Sequence, residues 1–428
     1  MKRFIVLFFL AACFPLAPNA AAAPQSYFYP FVNPYEATVM ELPRNFEVRL
    51  PEKVPSREFT LKVFPAREIP PAFWYEDGLV CTLAYQNHRA PLVFIIAGTG
   101  ASHNTPRMVK LRSALYQGGF HVISLTSPTH MDFVVNASSG LPGDPLDDAR
   151  DLYRVMEMAY ETVRDTIDVS NFDLAGYSLG AFNAAFVARL DQEKKRFNFS
   201  RVLLINPPVS LYESVSALDR LLVENVPQGM EQFDAWFRDV FAEFAHVSRE
   251  VGPGGLSGDF IYSAYKRFPP NEENLAALIG LSFRISAANM IFTADVMNGG
   301  GYIVPPKAKL TATTSLTRYA TVSFHTRFTD YFDEWFFPKR QHREPTLTRQ
   351  ALLERMSLRS QEIYLKGAEN IGLIHNEDDI ILAPGDIDYL QGVFGGRARV
   401  FPTGGHMGNM FHPDVVSFMV DFLAGKER

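Results

Sequence analysis

The chain has 428 residues and a formal net charge of −6 at pH 7, with acidic and basic residues interspersed along its length. This length allows a large buried core and fits one domain that carries a substantial insertion. Because no extended basic block is present, the composition excludes a typical nucleic-acid-binding surface, and we expect no nucleic-acid partner.

The N-terminus has the pattern of a secretory signal. Lys2-Arg3 precede an apolar run over residues 4–12, and a tract of small residues follows at 20–23. The apolar run is too short for a stable membrane span. The pattern therefore predicts a signal peptide over residues 1–23 and an exported, periplasmic protein.

The same region contains one of the two cysteines of the chain. Residues 10–13 read Leu-Ala-Ala-Cys, which is similar to a bacterial lipobox. This similarity leaves open a lipoprotein that is attached to the membrane through a lipidated Cys13, and we expect no other membrane attachment. Once Cys13 is removed or lipidated, Cys81 has no internal partner, so we predict no disulfide framework.

From residue 24 to residue 208 the chain predicts strands that alternate with helices. Alternating apolar residues at 57–63 and 79–85 predict two antiparallel strands, and the apolar run at 92–96 predicts a buried strand. Such alternation is typical of an α/β fold in which helices cover both faces of a mostly parallel sheet. The remaining elements predicted here are helices at 106–116 and from residue 145, and strands at 121–125, 172–175 and 201–205.

A serine between two glycines follows one of these strands. Gly176-Tyr177-Ser178-Leu179-Gly180 comes directly after the strand at 172–175 and precedes a helix-forming segment. A strained turn from strand to helix exposes a serine hydroxyl only when its neighbours lack bulky side chains. The pattern therefore predicts Ser178 as a nucleophile.

Residues 209–344 interrupt the alternation and predict a mainly helical lid, inserted after the sixth strand. A compact fold needs only a short crossover at this point. Aromatic and apolar residues at helical spacing either form the core of the lid or line a channel for an apolar substrate, and both alternatives stay open. They are Phe233, Trp236, Phe237, Val240, Phe241 and Phe244.

The second part of the core, residues 345–428, supplies two more candidate residues. A strand-like run at 398–401 precedes His406, whose flanking glycines leave it free to reach a serine and act as its base. An apolar run at 371–374 precedes a group of acidic residues, one of which could fix the tautomer of that histidine. We favour Asp379 over Asp378 for this role.

The chain order of serine, aspartate and histidine, each at the end of a strand, resembles the α/β-hydrolase superfamily over about residues 59–423. Residues 375–381 are similar to the acid loop His-Gly-x-x-Asp of that family, with Asn376 in place of the glycine. Residues 405–408 match its Gly-His-x-Gly loop. The resemblance implies an α/β-hydrolase fold and points to Asp379 as the acid.

The same resemblance implies an oxyanion hole. One donor is the N–H of Leu179, the residue after the nucleophile. Residues 97–100 are similar to the His-Gly-x-Gly turn of the family, with alanine in place of histidine. This similarity indicates the N–H of Thr99 as the second donor, with Gly100 as the alternative.

The loop at 97–100 also has a rival interpretation as a dinucleotide-binding turn. The third glycine position of that motif holds His103, and the next strand ends at Thr126-Ser127 without an acidic residue for a ribose. None of the ten histidines stands in a metal-binding spacing. We therefore predict no cofactor and no metal. His103 could contact a substrate or cap a helix, and His130 could contact a substrate or be an ordinary polar residue of a loop.

Together these patterns predict an exported serine hydrolase. It would cleave carboxylic ester (acyl) substrates through Ser178, His406 and Asp379, with an acyl-enzyme intermediate. A serine aminopeptidase-like enzyme is one alternative. A catalytically silent binding protein that keeps the hydrolase fold is another, because a fold alone does not establish an activity.

Overall fold

The computed structural model describes residues 27–40, 42–240, 242 and 271–426. Among these residues, eight strands form one sheet with the order β1-β2-β4-β3-β5-β6-β7-β8. The strand β2 is antiparallel to both of its neighbours, β1 and β4, and all other pairs are parallel. The strands are β1 Ser56–Leu61, β2 Leu79–Ala84, β3 Ala90–Ile96, β4 His121–Leu125, β5 Val169–Tyr177, β6 Val202–Ile205, β7 Ile371–Asn376 and β8 Ala398–Phe401.

Local capping signals set the helix ends in the core. The Asp144 side chain accepts a hydrogen bond from Leu146 N–H at 3.0 Å, and Pro145 occupies the first helical position. The helices are α1 Pro34–Val39, α2 Pro106–Gln117, α3 Met131–Asn136, α4 Pro145–Val163, α5 Leu179–Lys194, α6 Leu211–Asn225, α7 Glu272–Asn298, α8 Thr317–His325, α9 Phe328–Tyr331, α10 Phe337–Arg343, α11 Arg349–Arg355, α12 Glu362–Gly367, α13 Asp386–Phe394 and α14 Pro413–Leu423. Residues 233–240 are also helical.

Both faces of the sheet are covered, as the continuous apolar strands predicted. In β3, Leu92, Phe94 and Ile96 belong to the same buried cluster as the apolar sides of α4 and α5. The alternate residues Val93 and Ile95 belong to a second cluster with α2 and α14. The sheet is therefore the middle layer of three, and the prediction of a mostly parallel sheet between helices is confirmed.

A mainly helical insertion follows the sixth strand, which confirms that part of the prediction. Its two long helices, α6 and α7, cross closely at Gly280, where a Cβ atom would lie 2.4 Å from Leu222 N. Nearby, the buried Arg284 pairs with the buried Asp219 at 2.7 Å. Close packing and a buried ion pair therefore join the two helices. The boundaries at 209 and 344 stay predictions.

The helix α7 is apolar along most of its 27 residues, with a mean hydropathy of 1.6 in an 18-residue window. Its length and composition would suffice to cross a membrane, but 83% of that window is buried inside the protein. A helix that is apolar all round and covered in this way is typical of the core of a large folded protein.

The predicted aromatic stripe of the insertion lies in its core. Phe233, Trp236 and Val240 are buried against residues of α6 and α7. Phe241 and Phe244 lie outside the described residues, as do the predicted signal peptide and Cys13. The described part of the stripe therefore packs inside the insertion.

The chain before β1 contains a helix that we did not predict. The Asn33 side chain accepts hydrogen bonds from Tyr35 N–H and Glu36 N–H at 2.9 and 3.1 Å, and Pro34 begins α1. An asparagine followed by proline is a helix-start signal that this region of the sequence does contain. Here α1 packs against α7 and against the loop after β8.

Candidate active site

Ser178 stands on a sharp turn between β5 and α5. Its backbone has φ 53° and ψ −124°, a conformation that non-glycine residues rarely adopt. A Cβ atom on Gly176 would lie 2.3 Å from Gly180 O, and one on Gly180 would lie 2.2 Å from Ile96 O. Both flanking positions therefore require glycine, because a larger residue would collide with backbone atoms.

The structure brings Ser178, His406 and Asp379 together in one chain of hydrogen bonds. His406 Nε2 lies 2.9 Å from Ser178 Oγ, and His406 Nδ1 lies 3.0 Å from Asp379 Oδ2. An ionised carboxylate only accepts hydrogen bonds, so the proton of the neutral imidazole belongs on Nδ1. His406 Nε2 is then free to accept the hydroxyl proton of Ser178.

Asp379 is held by two further donors. The Asn206 side-chain amide donates to Asp379 Oδ2 at 3.0 Å, and Ile381 N–H donates to Oδ1 at 3.2 Å. Burial raises the pKa of Asp379, but its electrostatic interactions with His406 and His375 and the hydrogen bonds that it accepts outweigh burial and leave the pKa below its ordinary value. Asp379 is therefore ionised at neutral pH.

The neighbouring Asp378 points to the backbone and not to the imidazole. Its carboxylate accepts hydrogen bonds from Gly404 N–H at 3.2 Å and from Gly405 N–H at 2.8 Å. Burial raises the pKa of Asp378, although these two donors lower it in part. The two adjacent acids thus contact different groups, since one contacts the ring of His406 and the other the loop that carries it.

The three side chains come from the ends of strands that pair in parallel. Ser178 follows β5 in the middle of the sheet, Asp379 follows β7, and His406 follows β8 at the edge. An elbow serine after a central strand, with the acid and the histidine later in the chain, is the arrangement of one superfamily. The chain has the α/β-hydrolase fold.

Several solved structures are similar to this chain at low sequence identity. A peroxisomal alpha-beta-hydrolase from Saccharomyces cerevisiae is 13% identical and aligns over 88% of this chain and 92% of its own, with a TM-score of 0.43. An esterase from Pyrococcus furiosus is 10% identical, with coverage of 87% and 93% and a TM-score of 0.37. A carboxyl esterase from Bacillus coagulans is 13% identical, with coverage of 87% and 99% and a TM-score of 0.40.

No protein-family model matches the chain, and no curated protein matches its sequence. At TM-scores of 0.37 to 0.43 the similarity to these structures is distant. The hydrolase fold of this chain follows from its own strand order and from its own elbow.

The predicted oxyanion donors lie beside Ser178. Leu179 is the first residue of α5, so its N–H has no acceptor within the helix. Gly100 N–H already donates to Thr129 Oγ1 at 3.0 Å. Within the described part of the chain, Thr99 N–H has no such acceptor. This difference favours Thr99 over Gly100 as the second donor, and both assigned roles stay predictions.

A cavity of about 260 Å³ opens in front of Ser178 and His406. One apolar wall comes from the chain before β1 and another comes from the insertion. Polar side chains stand at a third side, where Lys110 pairs with Glu47 at 2.8 Å and Arg107 lies close by. The apolar lining residues from the two walls are Val39, Met40, Leu42, Leu218, Ile279 and Phe283.

The two other histidines that we considered lie away from this cavity. His103 Nδ1 lies 2.7 Å from Thr82 Oγ1, and the His130 side chain caps α3 by accepting from Asp132 N–H. Burial lowers the pKa of His103 and of His130 to about 4, so both are neutral at pH 7. Neither lines the cavity, and both have structural contacts.

Three further features of the site were missed at the level of sequence. Asn206 follows β6 with φ 48° and holds the carboxylate of Asp379. His375 is fully buried 3.7 Å from Asp379 Oδ2, and Thr38 contacts the backbone of His406. Asn206 could have been identified as a candidate from the sequence, because it is a polar residue at the end of a strand. No pattern connected Thr38 to a loop 368 residues away.

Among the residues that the structure describes, no group of three or more histidine, cysteine, aspartate or glutamate side chains could hold a metal ion. Cys81 is a buried free cysteine in β2. Burial raises the pKa of its thiol far above the ordinary value, so this side chain is an uncharged core residue.

We predict that Gly180→Ala prevents the elbow from forming. The new Cβ would meet Ile96 O at 2.2 Å and Ala97 O at 2.6 Å, and backbone atoms of a central strand have little room to move. We expect a loss of soluble protein or a drop in melting temperature of more than about 10 °C by differential scanning fluorimetry.

The matched control is Gly392→Ala in the helix α13, where an added Cβ meets no atom within 4 Å. The same chemical change should there raise the stability slightly, by about 0.5–1 kcal/mol, because alanine is the better helix former. Equal melting temperatures for the two variants would contradict the close packing of the elbow.

Proposed function

We propose that this protein is a serine hydrolase that cleaves carboxylic esters through an acyl-enzyme on Ser178. The observation that carries the proposal is the hydrogen-bonded chain from Ser178 through His406 to Asp379, which opens into a cavity. A serine hydroxyl becomes a strong nucleophile when a positioned base accepts its proton during attack. The ionised Asp379 is the third group of the hydrogen-bonded chain, and such an acid orients the histidine and stabilises its protonated form.

In the proposed reaction, Ser178 Oγ attacks the carbonyl carbon of the ester while its proton passes to His406 Nε2. The negative charge of Asp379 stabilises the imidazolium ion that results. The N–H groups of Leu179 and Thr99 donate to the oxyanion of the tetrahedral intermediate. The C–O bond of the ester then breaks, the alcohol leaves with the proton from His406, and water releases the acid in a second, similar step.

The cavity favours an ester over a peptide with a free amino terminus. An aminopeptidase binds a positively charged amine, which calls for an unpaired carboxylate near the nucleophile. Among the described residues that line the cavity, Glu47 is the one acid, and it is paired with Lys110. The two apolar walls suit the hydrocarbon part of an acyl ester. The aminopeptidase-like alternative therefore has less support.

We further infer that the helical insertion, with the predicted bounds 209–344, acts as a lid. Ile279, Ser282 and Phe283 of α7 line the cavity, and a Cβ atom on Gly100 would lie 2.6 Å from Ser286 Oγ. The insertion thus lies directly on the loop that carries Thr99, one of the two proposed oxyanion donors. A lid in this position would exclude water and shape the acyl site.

We expect the wild-type protein to react with a fluorophosphonate probe and to hydrolyse p-nitrophenyl acyl esters faster than aminoacyl p-nitroanilides. Both activities should vanish in Ser178→Ala, because the attacking oxygen is lost while the fold is kept. In-gel fluorescence measures the labelling, and release of p-nitrophenol measures the hydrolysis of the ester.

Ser170→Ala is the matched control, since Ser170 lies on the same strand but at its other end, and its hydroxyl donates, among the described residues, to Asn171 alone. Labelling should persist in this variant. If the folded wild type neither labels nor turns over any ester or anilide, the protein is a silent binding protein with a hydrolase fold, and the proposed activity is wrong.

Replacement of the two neighbouring acids should separate their roles. Asp379→Asn removes the charge beside His406 and should lower kcat by about 10³- to 10⁴-fold, as expected when the acid of a serine triad becomes an amide. Asp378→Asn keeps an acceptor oxygen for one of the Gly404 and Gly405 amides and leaves the charge of Asp379 beside His406, so it should lower kcat by less than about 10-fold. Steady-state kinetics with one ester measure both, and a larger loss in Asp378→Asn would overturn the choice of Asp379.

We propose that the protein is exported to the periplasm, on the pattern of its first 23 residues, with a lipid anchor on Cys13 as the alternative. A protein cleaved after Ala22 or Ala23 should fractionate with soluble periplasmic proteins, and Cys13→Ser should leave this distribution unchanged. Release of the protein from the membrane fraction only in Cys13→Ser would show the anchor, and retention in the cytoplasm would contradict export.

A further inference from the structure

The loop that carries His406 has an unusual backbone. Gly404, Gly405 and Met407 all have positive φ values, of 153°, 53° and 66°. Such a loop holds one shape only when its surroundings determine it. Its position matters because an offset of about 1 Å at a catalytic group can cost about 100-fold in rate.

Contacts within the hydrolase core account for most of this loop. Gly404 N–H and Gly405 N–H donate to Asp378, and the Asn376 side chain donates to Gly405 O at 2.8 Å. Gly408 N–H donates back to Gly404 O at 2.9 Å. The N–H of His406 itself has its acceptor in the chain before β1.

That acceptor is Thr38, in α1. His406 N–H donates to Thr38 Oγ1 at 2.9 Å, and the Thr38 hydroxyl donates in turn to Pro34 O at 2.6 Å. Because the hydroxyl proton is committed to Pro34, a lone pair of the oxygen is fixed toward His406. One side chain from the N-terminal part of the chain thus orients the backbone of the proposed base.

The chain before β1 also fits against this loop without a gap. We call residues 27–40 the N-terminal strap. A Cβ atom on Gly408 would lie 1.8 Å from Ala37 O, and one on Gly405 would lie 2.4 Å from Pro34 O. Tyr27 OH donates to Thr403 O at 2.8 Å just before the loop. The strap therefore requires glycine at 405 and 408, and positive φ values favour glycine at 404 and 405.

The other side of the strap contacts the insertion. Val39 packs in one buried cluster with Leu275 and Ile279 of α7. The Asn33 side-chain amide donates to Glu272 at 3.3 Å, at the first turn of the same helix. The strap therefore joins the histidine loop to the helix that forms a wall of the cavity.

We propose that Thr38 is a positioning residue for His406 and that the N-terminal strap is an integral part of the active site. The hydroxyl of Thr38 holds the backbone of His406 so that its Nε2 stays within reach of Ser178 Oγ. This inference rests on the proposed function, because it assigns Thr38 a role in the reaction that His406 is proposed to assist.

Thr38→Val and Thr38→Ser test the proposal as a pair. Valine keeps the shape of threonine but lacks the oxygen, whereas serine keeps the oxygen and loses only a methyl group. With a p-nitrophenyl ester, we expect Thr38→Val to lower kcat by about 10- to 100-fold with KM changed less than about 2-fold. Thr38→Ser should retain kcat within about 3-fold of the wild type.

The melting temperature of each variant separates positioning from general packing. Because Thr38 is half-buried in a short helix, both variants should melt within about 4 °C of the wild type, and assays are run well below that temperature. If Thr38→Val yields no folded protein, Thr38→Ala removes the same oxygen without a substitute group and carries the same expectation.

The outcomes keep this inference distinct from the proposed function. If the wild type is active and kcat is unchanged in Thr38→Val, the proposed role of Thr38 is wrong and the hydrolase proposal stays intact. A raised KM at constant kcat in Thr38→Val would have the same consequence, because it would indicate a substrate contact. Equal losses in the serine and valine variants would also overturn it. Absence of Ser178-dependent turnover in the wild type would instead refute the proposed function.

Discussion

Parallel pairing of the strands from β3 to β8 is the constraint on which the candidate site depends. It brings the carboxyl ends of β5, β7 and β8 to one edge, where Ser178, Asp379 and His406 meet over distances near 3 Å. Each connection at this edge must turn sharply, and Ser178, Asn206 and Met407 all adopt positive φ values without being glycine. Such strain persists only where close packing and hydrogen bonds determine the backbone, as they do here.

The electrostatic environment of the site follows from its burial. Asp379 stays ionised in the interior because His406, Asn206 and the N–H of Ile381 together compensate for lost water. His375 is also fully buried beside it, and burial keeps the pKa of His375 below the ordinary value. His375 therefore adds no positive charge at neutral pH, and the carboxylate of Asp379 contacts the ring of His406, which reaches Ser178.

Two segments outside the core of the hydrolase fold complete the cavity. The helix α7 covers the loop at Gly98–Gly100, and the N-terminal strap contacts the loop at Gly404–Gly408. These segments also contact each other through Val39, Leu275 and Ile279. A change in the position of the insertion would therefore act on the proposed base through the strap and directly on the loop that carries Thr99. The shape of the cavity and the geometry of its reactive groups are thus coupled.

The sequence by itself determined the fold class, because apolar strand runs, helix caps and the Gly176-x-Ser178-x-Gly180 turn are local patterns with local causes. It also picked out Ser178, Asp379 and His406 as candidates from their chain order. Only the tertiary structure decided that Asp378 serves the loop backbone, that the described aromatic stripe is core, and that Thr38 supports His406. Those contacts join residues up to 368 positions apart, and no periodicity or spacing encodes which distant surfaces meet.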